Sequence, residues 1–231
     1  IHRFRNRAIT DFYEPGSTMK PLTVLSALEF GNVKADTIIN TSPGYMRLGG
    51  RRVSDPRNYG NQSLSDILVN SSNVGTSKLA LSLPKEFYLD KFFEAGFGED
   101  TGTGLMGESS GIMHDRNRWS QIELATLSYG MGVAATPLQI ARFYSTIANG
   151  GIKRSLSILK ATPENSQFNS AERIFSKEHS KEIVGMLEHV VNEHVEAAIV
   201  DGYRVGGKTG TAFKAMAGSY GNDYVGLFAG I

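Results

Sequence analysis

"GYRVGGKTGT", residues 202–211, fits two sequence motifs that predict different folds. Read from Gly202, it is Gly, four residues and Gly-Lys-Thr, the pattern of a loop that binds nucleotide phosphates. Read from Lys208, it is Lys-Thr-Gly-Thr, one of three motifs that occur together in serine acyl-transferring enzymes. The rest of the chain has to decide between them.

The phosphate-loop interpretation fails on the residues after Lys208. Such a loop needs a helix that starts at its Lys-Thr, so that backbone N–H groups and the helix dipole face the phosphates. Here Gly210 and Thr211 come next, and these residues are poor openers of a helix. The 20 residues after Thr211 also contain no hydrophobic strand ending in the Asp that would hold magnesium. Without further motifs, a Gly-rich hairpin with no chemistry would be the default interpretation.

A second motif is Ser17-Thr18-Met19-Lys20, of the form S-x-x-K. Residues three apart lie on one face of a helix, so Lys20 can reach the Ser17 hydroxyl. A serine hydroxyl is a weak nucleophile until a base takes its proton. A lysine can be that base if burial or a nearby cation lowers its pKa. Taken alone, the pattern also fits a capping serine beside a solvated lysine.

The third motif is Ser71-Ser72-Asn73, of the form S-x-N. It lies between two predicted helices, 63–71 and 74–82, where side chains can project into a cleft. By itself it also fits a polar turn between helices. Three such motifs in this order and at wide spacing are far less frequent by chance than any one of them.

Composition describes an ordinary globular domain. Of 231 residues, 40% are hydrophobic and 20% charged, and the net charge is +1. No basic excess indicates nucleic acid as a partner. There is no cysteine, which excludes thiol catalysis and cysteine-bound metals. The five histidines form no metal-ligand pattern, and we expect neither a metal nor a cofactor.

The order of predicted elements indicates an α+β fold, with many helices first and a β-hairpin last. Residues 1–16 are expected to be extended and 32–62 irregular. The expected helices are 17–30, with Ser17 as its cap, 63–71, 74–82, 84–95, 119–130, 136–148 and 176–194. The expected strands are 152–160, 203–205, 208–213 and 224–231, with a turn at 218–222 between the last two.

With these motifs, the chain resembles the transpeptidase domain of class B penicillin-binding proteins. It is most similar to the septal, cell-division type known as penicillin-binding protein 3. Beyond the motifs, "RNRAITDFYEPGSTMKP", "ILVNSSNVGTSKLAL" and "YGMGVAATPLQIARFYSTIANGG" carry the resemblance. It implies the penicillin-binding/β-lactamase-like fold, with an antiparallel sheet that is incomplete here. We expect residues 1–231 to be one transpeptidase domain, truncated at both ends.

The resemblance implies a peptidoglycan D,D-transpeptidase that works through an acyl-serine and is a target of β-lactams. It assigns the nucleophile to Ser17, the base to Lys20, a proton relay to Ser71 and electrostatic support to Lys208. It assigns substrate binding to Asn73, Thr209, Gly210 and Thr211, and an oxyanion hole to the backbone N–H groups of Ser17 and Thr211.

The resemblance also implies a setting. The partners would be peptidoglycan stem peptides and division-complex membrane proteins. The catalytic domain would face the periplasm, on a protein anchored in the inner membrane outside this chain. The alternatives on the same scaffold are a serine β-lactamase or D,D-carboxypeptidase, for which Glu123 or Glu164 could position water, and a non-catalytic β-lactam sensor.

Two other groups of residues have open assignments. Tyr220 and Tyr224 are expected either to line the cleft or to pack on the sheet. Four arginines make the segment 45–60 basic, and we expect a solvated loop there rather than a partner surface. They are Arg47, Arg51, Arg52 and Arg57.

Overall fold

A computed structural model describes residues 5–160, 162, 170–216 and 219–231. Its α-helices are α1 (Arg7–Thr10), α2 (Lys20–Phe30), α3 (Leu64–Val69), α4 (Asn73–Leu81), α5 (Lys85–Glu94), α6 (Gln121–Leu127), α7 (Pro137–Ala148) and α8 (Lys177–His194). Short 3₁₀ turns cover Gly16–Met19, Arg116–Arg118 and Glu196–Ala198. The described helices therefore follow the expected order closely.

Eight strands form four antiparallel pairs in the described residues. The short ones are β1 (Ile38–Asn40) with β4 (Asn61–Ser63), β2 (Tyr45–Leu48) with β3 (Arg51–Ser54), and β5 (Ile152–Arg154) with β6 (Ala171–Arg173). The long pair is β7 (Gly207–Met216) with β8 (Ser219–Gly230), in the register Thr209 opposite Phe228 and Thr211 opposite Gly226. This hairpin carries the Lys-Thr-Gly-Thr motif as a strand, which removes the phosphate-loop interpretation.

Helix α2 lies at the centre of the main core. Every residue from Lys20 to Leu28 is buried, on all faces of the helix. Helices that are apolar all round are typical of the interior of a domain, and α2 is surrounded by α3, α4, α5 and α8. Its end is set by Gly31, whose φ of 80° places it in the left-handed region that favours glycine. The central helix thus holds its first residue, Lys20, inside the protein.

Several boundaries differ from the sequence expectations. Residues 7–10 form a helical turn rather than extended chain, and residues 152–160 hold only the three-residue β5. The segment 32–62 contains β1 to β4, and residues 203–205 are not a strand. The turn expected at 218–222 was wrong, because β8 already begins at Ser219; residues 217–218 lie outside the described part. Strands β1 and β4 pair across 20 intervening residues, which local patterns do not show.

The α+β prediction is confirmed. Capping explains why the helix starts were predictable: Ser63 with Asp66, and Thr136 with Gln139, form capping boxes at α3 and α7. Trp119 is buried. In the described ranges, no helix has the length and apolar character needed to cross a membrane.

Candidate active site

Ser17 lies in the 3₁₀ turn Gly16–Met19, directly before α2. Its side chain is half-buried, and the expectation that it caps the helix was wrong, because no side-chain cap bond is made there. The turn is held from both sides. Gly16 donates its N–H to the carbonyl of Gly130 at 3.2 Å, and the Tyr144 hydroxyl donates to the carbonyl of Thr18 at 2.9 Å. The neighbours of Ser17 are fixed while its own hydroxyl is left without a capping role.

Two glycines allow this close approach. A Cβ on Gly130 would lie 2.1 Å from the Gly16 carbonyl oxygen, and one on Gly210 would lie 2.8 Å from the Pro15 carbonyl oxygen. Contacts below 3.0 Å to backbone are not tolerated without movement. Strand β7 and the loop after α6 therefore pack directly on the Ser17 turn because neither carries a side chain at these points.

Lys20 joins two of the three motifs. Its ammonium is fully buried and donates to the Ser71 hydroxyl at 3.0 Å, to the Ser71 carbonyl and to Asn73 Oδ1 at 2.8 Å. Burial lowers the pKa of Lys20 well below its ordinary range, and the nearby Lys208 lowers it further. A carboxylate, Asp55, acts in the opposite direction. The S-x-x-K and S-x-N motifs thus meet at one buried amine.

The S-x-N corner depends on an unusual backbone. Ser71 has φ of 52°, and no other non-glycine residue in the described ranges has a positive φ. This left-handed residue separates α3 from α4. Ser72 then caps α4, since its hydroxyl accepts the N–H of Gly75 at 2.8 Å. Ser71 and Asn73 are consequently presented on the side facing Lys20, while Ser72 points into the protein.

Asp55, which no sequence motif indicated, fixes the backbone of the S-x-N corner through hydrogen bonds. Its carboxylate is buried and accepts hydrogen bonds from the Ser72 hydroxyl at 2.6 Å and from the backbone N–H groups of Asn73 at 2.6 Å and Val74 at 3.0 Å. An acidic side chain at a helix N-terminus also complements the helix dipole. The only sequence signal is an Asp-Pro pair 16 positions before the motif, which has no local meaning.

The third motif lies on β7 with its side chains on alternate faces. Lys208 and Gly210 are buried on the face that meets the Ser17 turn, whereas Thr209 and Thr211 are exposed on the other. The Lys208 ammonium donates to the Thr209 carbonyl at 3.3 Å. Burial lowers the pKa of Lys208 to about 8. A second amine with a lowered pKa is therefore close enough to Lys20 to act on its charge.

This arrangement suits proton transfer at Ser17. Burial and the neighbouring Lys208 both disfavour a positive charge on Lys20, which is the first residue of the helix that follows the Ser17 turn. The two segments whose N–H groups were expected to form the oxyanion hole are in contact, because a Cβ on Gly16 would lie 2.8 Å from the Thr211 carbonyl oxygen. The three motifs therefore converge, as their order in the sequence suggested.

Other candidates do not reach this centre. Glu123 is exposed and caps α6 through Ser120, so it does not position water at Ser17. Glu164 and the side chain of Tyr220 lie outside the described residues. Tyr224 is 59% exposed on the outer face of β8. Across the described part of the chain, no cluster of three acidic or histidine side chains could hold a metal ion.

Comparison with known proteins identifies the family. A model of the family described as penicillin binding protein transpeptidase domain matches residues 2–231, and the chain belongs to that family. It is 44% identical over 231 residues to the peptidoglycan D,D-transpeptidase FtsI of Escherichia coli K12, covering 98% of this chain and 38% of that protein. FtsI of Buchnera aphidicola subsp. Schizaphis graminum is 40% identical over 230 residues, with 98% and 39% covered.

The fold is also shared with a solved structure. The apo TP domain of Burkholderia pseudomallei penicillin-binding protein 3 superposes with a TM-score of 0.92 at 35% identity, covering 98% of this chain and 69% of that one. The resemblance to the septal type and the transpeptidase fold are thereby confirmed. The chain spans about two fifths of the length of the curated FtsI relatives it matches.

Proposed function

We propose that this chain carries the catalytic centre of a peptidoglycan D,D-transpeptidase. The observation that supports it most directly is the buried Lys20 ammonium, which bonds both Ser71 and Asn73 beside a second buried amine, Lys208. Burying two amines costs free energy of folding, which indicates that the pair is kept for its chemistry rather than for stability. Its chemical use is to keep one of them neutral next to a serine.

In the acylation step, Ser17 Oγ attacks the carbonyl between the two terminal D-alanines of a stem peptide. Lys20 accepts the hydroxyl proton as the O–C bond forms. The negative charge that develops on the carbonyl oxygen is stabilised by the backbone N–H groups of Ser17 and Thr211. When the peptide C–N bond breaks, Ser71 passes a proton to the leaving amine of D-alanine, and Lys208 supports the charge distribution.

Binding of the donor peptide uses the strand and the corner. Thr209 and Thr211, exposed on one face of β7, would bind its terminal carboxylate. Gly210, between them, would support this binding by letting β7 lie directly against the Ser17 turn. Asn73 would hydrogen-bond the peptide from the opposite wall. The amine of a second stem peptide then attacks the acyl-Ser17 ester, which forms the cross-link and releases the serine. A β-lactam would stop at the ester.

The setting of the enzyme is part of the same proposal. The FtsI names of the relatives favour a role in cell division, with division-complex membrane proteins as partners. The site would work on the periplasmic side of an inner membrane, where cross-linked peptidoglycan lies. β-Lactams and stem peptides would then reach the same cleft.

The first test is the intact mass of the protein after incubation with benzylpenicillin. We expect one stable adduct on the wild type, none on Ser17→Ala, and an unchanged adduct on the exposed control Ser157→Ala. A folded wild-type protein without an adduct would refute the proposed site.

A second measurement separates transfer from hydrolysis and from sensing. A D-alanyl donor is supplied with and without an amine acceptor, and products are counted. Formation of the donor–acceptor amide supports the transpeptidase. Only free acid would indicate a hydrolase, and a single slow acylation without any product would indicate a sensor.

A further inference from the structure

Next to the site is a strongly basic hairpin, which we call the arginine hairpin (residues 45–57). It consists of β2, β3 and the three residues after β3. Its four arginines are all exposed, and two stack on neighbouring tyrosine rings: Arg52 at 4.2 Å from the Tyr45 centroid and Arg57 at 5.0 Å from the Tyr59 centroid. The sequence pattern predicted a solvated loop here, whereas this segment is an ordered two-stranded unit.

The two faces of the arginine hairpin differ sharply. Met46 and Leu48 pack inward with the buried Val53. The outer face carries Arg47 directly opposite Arg52 in the strand register. Like charges placed opposite each other destabilise a sheet, so this pair is unfavourable for folding alone.

Among the described residues, Arg47 and Arg52 make no ion pair with a carboxylate, while Arg51 has a charge interaction with Glu123. Other exposed arginines in the described ranges are of both kinds: Arg116 is paired with Asp90, and Arg154 has no ion pair. The outer face therefore keeps its positive charge available to a ligand.

The hairpin is joined directly to the catalytic corner. Asn73 donates its side-chain N–H to the carbonyl of Ser54 at 3.3 Å, and the next residue, Asp55, holds the backbone of Asn73. Ser54 lies opposite Tyr45, two register positions from the Arg47–Arg52 pair and on the same face. Residues two apart along a strand are separated by about 7 Å. The arginine pair thus lies about 7 Å along the strand from the carbonyl that Asn73 contacts.

We propose that the outer face of the arginine hairpin, formed by Arg47, Arg52 and Tyr45, binds carboxylates of an acidic peptide substrate at positions before the two reacting D-alanines. This inference rests on the proposed function and names the substrate chemistry of the same site. An acidic peptide fits better than a nucleic acid, because the net charge of the whole chain is only +1 and the opposed arginines cover one short face rather than a long basic stripe.

The test is direct binding to the Ser17→Ala protein, which does not depend on turnover. Two soluble stem-peptide analogues are compared by calorimetry, one with free internal carboxylates and one with them amidated. We expect the free acid to bind about tenfold more tightly at low salt, from two exposed charge contacts, and this preference to fall as salt is added. In Arg47→Gln/Arg52→Gln the preference should disappear.

A matched control removes the same charge elsewhere. Arg154→Gln/Lys181→Gln alters two exposed cations on β5 and α8 and should keep the full preference. Acylation of Arg47→Gln/Arg52→Gln on an otherwise wild-type background by benzylpenicillin, which is too short to reach the hairpin, should be unchanged.

Three results would overturn the proposal. They are equal binding of both peptides to the Ser17→Ala protein, an unchanged preference in the hairpin variant, or an equal loss in the control. If benzylpenicillin leaves no adduct on the wild type while the carboxylate preference is present, the proposed function fails and the hairpin proposal stands.

Discussion

Two groups of cations in this protein differ in burial: two lysines are buried and two arginines are exposed. Lys20 and Lys208 are buried, and their pKa values are lowered by burial. Arg47 and Arg52 are exposed on a hairpin joined to the same corner through Asn73 and Asp55. A buried amine can lose its proton and do chemistry, whereas an exposed guanidinium keeps its charge and can only attract. Residue type and burial together separate reaction from recognition.

The largest effect is expected from replacing Lys20. Lys20→Gln keeps a hydrogen-bonding group near Ser71 and Asn73 but cannot accept a proton. Because a general base contributes about 10²–10⁴-fold, we expect acylation by benzylpenicillin to slow by about 10³-fold. Lys181→Gln, an exposed lysine on α8, serves as control and should react normally. Acylation of Lys20→Gln within about tenfold of wild type would exclude Lys20 as the base.

Lys208 offers a test through stability. Its folded pKa is about 8, below the ordinary 10.5, so the unfolded chain binds more protons between these values. Wild-type stability therefore rises with pH from about 8 to 10.5, and below pH 8 the full cost of the buried charge is present. Lys208→Met has no such group. Its stability relative to wild type should fall by about 3 kcal/mol between pH 7 and pH 11.

Urea denaturation at a series of pH values measures this difference. Lys20 adds to it in the same direction, because replacing Lys208 removes a charge that lowers the pKa of Lys20. A difference that stays constant across the range would show that Lys208 is not held with a lowered pKa. Lys181→Met, at an exposed site, should show no pH-dependent difference.

Asp55 lies between the two groups of cations, and Asp55→Asn tests its effect on both stability and the pKa of Lys20. The carboxylate accepts three hydrogen bonds, so the change should lower the free energy of unfolding by about 2 kcal/mol. It also removes a charge that raises the pKa of Lys20. The acylation rate falls at acidic pH as Lys20 becomes protonated, and in this variant the fall (the acid limb of the pH profile) should occur at lower pH than in wild type. Asp36→Asn, at an exposed position, is the matched control.

Both measurements are made on the same variant, by denaturation and by the pH dependence of acylation. A shift of the acid limb to higher pH would contradict the assigned charge effect, even if the stability loss appears as expected.

The smallest effect is expected on the arginine hairpin itself. Arg47→Thr removes one of two opposed charges and places a β-branched residue in a strand. We expect the protein to become more stable by about 0.5 kcal/mol at low salt, and less so at high salt. Thermal denaturation of this variant and of Arg154→Thr measures the gain. A loss of stability in Arg47→Thr would show that the opposed arginines are not unfavourable in the fold.

Much of the fold was readable from local patterns. Capping residues such as Ser63, Thr136 and Ser176 marked the helix starts within one residue. Gly31 marked the end of α2. Such signals are local because the cap and the groups it satisfies lie within four residues. Strands β1 and β4 were missed because they pair across 20 intervening residues, which only the folded chain brings together. Strands β2 and β3 pair locally across Gly49-Gly50, a hairpin signal that was overlooked.

The convergence of the motifs was readable from the sequence, but the electrostatics at their meeting point were not. The three motifs predicted Ser17, Lys20 and Lys208 as members of one candidate site. The sequence did not reveal that Lys20 would be completely buried against Ser71 and Asn73, since S-x-x-K fits a solvated lysine equally well. Asp55 was absent from every prediction because its three partners belong to another element.

By itself, the sequence determined the order of the main helices, most of their caps and the three motifs, because each depends on side chains a few positions apart. Only the tertiary structure decided which lysines are buried, which carboxylate bonds the S-x-N corner, and which arginines lie opposite each other on a strand pair. These properties depend on which groups the fold brings together, since desolvation and charge pairing are set by what packs around a side chain in space.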